Sequence, residues 1–166
     1  MTHYHLAQLN IGRIVAPLDS PQLAGFVNRL DEINALADRA SGFVWRFQTE
    51  AGDATALRPY DDDRILVNFS VWESPEALHQ FVYRTAHVEV MRQRRQWFEV
   101  MTEAYLVLWW VPEGHRPTIE EAIARLERLR MRGPSPEAFT FRELYPPPES
   151  GATKAPAPLS EECPAT

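Results

Sequence analysis

The stretch from Gly42 to Trp97 constrains this chain more than any other. Two runs, GFVWRF and RILVNFSVW, are followed at once by SPEALHQFVYRTAHVEVMRQRRQWF, and only the polar, turn-rich segment Ala51 to Asp63 interrupts them. Alternation with period two predicts strands, because successive side chains of a strand point to opposite faces. Phe43, Trp45 and Phe47 alternate with Val44, Arg46 and Gln48 in the first run. In the second, Ile65, Val67, Phe69 and Val71 share one face, while Leu66, Asn68, Ser70 and Trp72 share the other. The two runs predict a hairpin with a helix against it. Its content of Trp, Asn and Arg exceeds the needs of an apolar core, so a pocket is expected here.

The flanking segments complete the pattern. Tyr4 to Ile11 suits a first strand, with Leu6, Gln8 and Asn10 on one face and Ala7, Leu9 and Ile11 on the other. Ser20-Pro21 opens a helix whose stripe is Leu23, Phe26, Val27, Leu30, Ile33 and Ala37, and Ser41-Gly42 stops it. Ser74-Pro75 repeats the start signal, with a break expected near Thr85, and Ala104 to Val111 forms a fourth strand. The order β-α-β-β-α-β predicts an α+β, ferredoxin-like domain. Two helices cover one face of such a sheet, and large aromatics on the other call for a partner. The expected assembly is a homodimer forming a dimeric α/β barrel.

An extra C-terminal helix follows, opened by the capping-box pair Thr118 and Glu121 and ended by Gly133. Ala138 to Leu144 reads as a short strand or an extended clasp. The domain spans residues 1–145, and the Pro-rich tail, residues 146–166, holds too few large apolar side chains to offset its chain entropy and is expected to be disordered.

Composition excludes several function classes. The 166 residues carry 23 acidic and 17 basic side chains, a net charge of -6, which argues against nucleic acid as a partner. No apolar run approaches the ~20 residues that span a bilayer, so no membrane association is expected. The lone cysteine, Cys163, permits no internal disulfide and fits a cytoplasmic location. Neither a metal-ligand triad nor a Gly-rich phosphate loop is visible.

Within the pocket region His87 interrupts the helical pattern, where an imidazole can act as base, ligand or hydrogen-bond partner, or simply brace a bend. Arg92, Arg94 and Arg95 lie on one turn and point in different directions, so at most two reach one site. Arg95 is taken as an anion anchor through its planar fork of donors, with a solvated surface pair as the alternative. Asn10, Asn68 and Trp72 sit on strand faces that combine amides with aromatics, the make-up of a small-molecule pocket or of a buried polar network. Trp109, in a nearly all-apolar strand, is a core residue, and His115 a turn residue.

The strings LAQLNIGR, GFVWRF, NFSVWESPEAL, FVYRTAH, RRQWF, VLWWVPEGHRPTIEEAIARL and GPSPEAFTF resemble the bacterial family catalogued as domain of unknown function 3291. More distantly, SVWESPEALHQFVYRTAHVEVM looks like the third strand and second helix of the dimeric α/β-barrel superfamily. That superfamily includes antibiotic-biosynthesis monooxygenases, which need neither metal nor flavin, and heme-degrading monooxygenases. In the latter an Asn on the first strand and a Trp and a His on the second helix flank the heme. Asn10 and His87 sit at similar places, but the aromatic before His87 is Phe81, which departs from that pattern. The resemblance implies a monooxygenase-like enzyme acting on an aromatic or polycyclic substrate, with His87 as base and heme as the one cofactor it brings into view. The alternative is a non-catalytic binder of heme or a hydrophobic metabolite.

Overall fold

A computed structural model describes residues 2–48, 60, 62–84, 92–151 and 156–159. Strands β1 (Tyr4–Arg13), β2 (Phe43–Arg46), β3 (Ile65–Trp72) and β4 (Leu106–Pro112) form one antiparallel sheet in the order β2-β3-β1-β4. Helices α1 (Ala24–Asp38), α2 (Pro75–Arg84), the short α3 (Arg94–Trp97) and α4 (Ile119–Arg132) occupy the connections and the C-terminal region. The element order is the one that the periodicities predict. The break expected near Thr85 lies outside the described residues.

The two Ser-Pro signals act differently. At α2 the Ser74 hydroxyl accepts from the Ala77 amide at 3.2 Å, a working N-cap. Before α1, Ser20 makes no such bond, and Pro21–Leu23 form a 3-10 turn that delays the helix to Ala24. At α4, Thr118 accepts from the Glu121 amide at 3.1 Å, as the capping pair predicts, and Gly133 ends the helix with φ 74°, a value that favours glycine.

One bulge corrects the alternation of β2. Phe43 lies opposite Trp72, yet Trp45 lies opposite Val71 and Arg46 opposite Ser70. The extra residue turns Trp45 to the other side of the sheet, as bulges do. Phe43 then meets Trp72 edge-on, with ring centroids 5.4 Å apart, while Trp45 meets Phe69 at 5.3 Å and Arg46 joins the Phe43 side.

The two faces of the sheet are built from different chemistry. Ala7, Leu9, Ile11, Val67, Phe69, Val71, Val107 and Trp109 are buried against Ala122, Leu126 and Leu129 of α4. The face expected to stand open for a second copy is therefore covered over β1 and β4 by the chain's own helix, which Arg130 ties down by donating to the Ala104 carbonyl at 2.8 Å. Toward β2 and β3, Trp45, Phe47, Tyr60 and Ile65 remain half-buried there. Burial of these apolar surfaces at ~25 cal/mol per Å² is the main force holding α4 in place. The opposite face, with Leu6, Gln8, Asn10, Asn68, Ser70 and Trp72, looks toward α1 and α2.

The C-terminal segment takes the clasp form of the two expected. Phe139 exchanges backbone hydrogen bonds with Leu108 at 2.8 and 2.9 Å, so the segment from Ala138 is a clasp on the outer edge of β4. In the tail expected to be disordered, Leu159 donates its amide to the Phe141 carbonyl at 2.8 Å and rests against the cluster of Phe139, Phe141 and Leu144. One leucine suffices because that cluster offers it an apolar seat, which composition alone does not show. Among the described residues no helix is long and apolar enough to cross a membrane.

Candidate functional site

The Gln8 face of the sheet does not close. Its strands alternate amides, serine and glycine where the other face has aliphatics, and short polar side chains cannot fill the gap to the helices. The apolar stripe of α1 reaches the gap only in part: Phe26, Leu30 and Ile33 are half-buried. What remains is a cavity of about 320 Å³ between β1 and β3 below, α1 and α2 above, and Arg94, Phe98 and Tyr105 at one end. Small-molecule sites begin near this size.

Its floor carries a fixed polar network. The register sets Gln8 opposite Ser70 and Asn10 opposite Asn68, so two cross-strand pairs stack along one face. Buried Gln8 donates through Nε2 to Asn68 Oδ1 at 2.6 Å and to Ser70 Oγ at 2.8 Å. The Trp72 indole N–H donates to the same Ser70 oxygen at 2.9 Å. With Ser70 accepting twice, its own hydrogen is left to donate into the cavity that it lines. Asn68 likewise keeps its amide hydrogens, and Asn10, half-buried, makes no side-chain hydrogen bond to another described residue. Ser70, buried, Asn10, half-buried, and Asn68, exposed, thus bring donors to the lining of one space, and the network holds Ser70 and Asn68 in place.

The walls are aromatic. Trp72 stacks on Phe81 at 5.3 Å and meets Phe43 edge-on. At the far end the Arg94 guanidinium lies over the Phe98 ring at 4.9 Å and the Tyr105 ring at 5.2 Å, a cation–π seat. Burial lowers its pKa from the usual arginine value, and nearby Tyr105 and Tyr83 oppose that shift. Gly12 makes this end possible: a Cβ there would lie 2.6 Å from Phe98 Cδ1.

Asn10, Asn68 and Trp72, chosen from the strand pattern, all line this one cavity. Arg95 does not: one residue beyond Arg94, it is exposed and outside the cavity lining. His87 lies outside the described residues. Two contributors were missed. Ser70 shares the alternation of Asn68 and Trp72 and was legible on that ground, and Arg94 stands four residues before Phe98, the spacing at which helical side chains meet. Among the described residues no group of three His, Cys, Asp or Glu side chains could hold a metal ion.

Comparison with known proteins gives a family and little else. A crystal structure of a protein of unknown function from Nitrosomonas europaea is similar over 69% of this chain and 94% of that chain, at 12% identity and a TM-score of 0.44. No curated protein matches the chain. The family pattern described as domain of unknown function DUF3291 matches residues 5–155, and over that span, which holds every element of the sheet and the whole cavity, the chain belongs to this family.

Proposed function

We propose that the protein binds a small aromatic organic molecule between its sheet and helices α1 and α2. The observation that carries this is the Gln8–Asn68–Ser70–Trp72 network at the floor of the cavity. A core that needed only stability would place aliphatics at these positions, as the opposite face does. Buried amides cost free energy unless satisfied, and donors left facing a cavity are retained where a ligand completes them. Phe43, Phe81 and Phe98 supply flat apolar walls for a ring.

The element order and strand order support a ferredoxin-like unit, and a cytoplasmic location accompanies it as an expectation. A homodimer would now rest on the half-buried residues toward β2 and β3, among them Trp45 and Phe47, and light scattering that finds only monomer at micromolar concentration would remove it. Monooxygenase-like turnover of the bound aromatic is the catalytic form of this proposal, with the amides as orienting groups and His87 as base. Heme stays an expectation of the resemblance alone, because His87, which would hold it, lies outside the described residues. No step is derived through it.

The test is nuclear magnetic resonance of the full chain with added naphthol. The indole N–H resonance of Trp72 and the side-chain amides of Asn10 and Asn68 should shift together and saturably. Shifts confined to exposed residues across a panel of one- and two-ring aromatics would refute binding at this site.

A further inference from the structure

The cavity has a charge that the chain as a whole does not. Its described lining contains Arg29, Arg46 and Arg94 and no Asp or Glu, in a protein of net charge -6. Arg46 is neutralised by Asp38, whose Oδ1 accepts from Nε at 2.8 Å. Arg94 differs: no carboxylate among the described residues lies within salt-bridge distance of it. A guanidinium taken partly out of water without a counter-charge is costly unless something else completes it.

Phe98 and Tyr105 complete only half of it. Both rings lie against the guanidinium, and its N–H fork donates to no other described side chain or carbonyl. The fork reaches β1 at Gly12, where Nη2 would stand 3.5 Å from a Cβ, and Gly12, Asn10 and Gln8 line the same cavity. We propose that the ligand of this cavity is an aromatic carboxylate and that Arg94 holds its charge through its N–H fork; the inference rests on the cavity being a ligand site. Carboxylates match the fork bidentately, and charge-assisted pairs are the stronger hydrogen bonds.

Strand geometry adds a length. Gly12, Asn10 and Gln8 follow each other on one face, so Asn10 lies about 7 Å and Gln8 about 13 Å from the charged end, at a rise of about 3.3 Å per residue. A carboxylate at Arg94 therefore leaves room for one ring before Asn10 and Asn68, and for two before Ser70. The ligand is a one- or two-ring acid with a hydrogen-bonding group at its far end.

The experiment titrates the full chain with naphthoate and with its uncharged isostere naphthamide, following indole fluorescence. The parent protein should bind naphthoate roughly ten-fold tighter or more. Arg94→Met keeps the stem and removes the charge, and should bring the ratio to about one, chiefly by weakening naphthoate. Arg94→Lys keeps the charge and loses the fork, and should fall between. Equal affinities in the parent, or an undiminished ratio in Arg94→Met, overturn the charge assignment while leaving the cavity a ligand site. If neither compound binds, the ligand site itself is refuted. Should Arg94→Met fail to fold, the parent ratio and the Lys variant decide.

Discussion

Replacing Ser70 by Ala tests whether the floor of the cavity is a structural network as well as a recognition surface. Ser70 Oγ accepts from two buried donors, Gln8 Nε2 at 2.8 Å and Trp72 Nε1 at 2.9 Å, and the substitution removes that acceptor with almost no change in volume. Gln8 keeps Asn68 Oδ1 at 2.6 Å and loses one bond of about 1 kcal/mol. Trp72, only 1% exposed, is left with an unpaired indole N–H, which costs about 1–3 kcal/mol. The sum is about 2–4 kcal/mol, or a fall in melting temperature of roughly 4–16 °C for a chain of this size. Urea unfolding followed by far-ultraviolet circular dichroism measures it, with an unchanged slope as the condition for a two-state comparison. In a double-mutant cycle, Trp72→Phe on the Ala background should cost less than Trp72→Phe alone, because the orphaned donor is then gone. A loss below about 0.5 kcal/mol for Ser70→Ala would refute the reasoning. It would mean that water enters from the cavity and satisfies the indole, so that the network orders nothing by itself.

On the opposite face, Trp109→Ala should cost about 3–5 kcal/mol, since the ring is fully buried between the sheet and α4; His87→Ala should instead abolish ligand binding with little loss of stability, and a variant that unfolds would make His87 structural. Ending the chain before residue 156 removes the Leu159 contact and its hydrogen bond to Phe141, a loss of roughly 1–2 kcal/mol that the urea midpoint should show. The Asp62 carboxyl is held below its usual pKa, first by the side-chain hydrogen bond from Arg13. A depressed folded-state pKa gives stability that is whole above the unfolded value near 4 and is lost as pH falls through the folded one. Asp62→Asn should therefore lower stability at neutral pH and match the parent at acid pH, where the carboxyl is protonated anyway, so that the acid limb flattens; an unaltered acid limb would count against the pair.

Much of this molecule was legible in the sequence because the relevant physics is local. Period two in Arg64 to Trp72 put Asn68, Ser70 and Trp72 on one face, and the same alternation in β1 put Gln8 and Asn10 on another; the spacing of Thr118 and Glu121 announced the cap that the structure contains. Which faces meet is a matter of register, and only the paired sheet sets Asn10 opposite Asn68 and Gln8 opposite Ser70. A single extra residue in β2 sends Trp45 to one side and Arg46 to the other, and no composition rule foresees where a strand will bulge. Arg94 and Arg95 are equivalent as letters, but one helical step separates a guanidinium seated over two rings from one in solvent. The same holds for α4, whose stripe the sequence displays plainly. Only the tertiary structure decides that this stripe covers the β1 and β4 part of the sheet face on which a second copy was expected, because apolar surface has no address of its own and takes whichever partner the chain can bring to it.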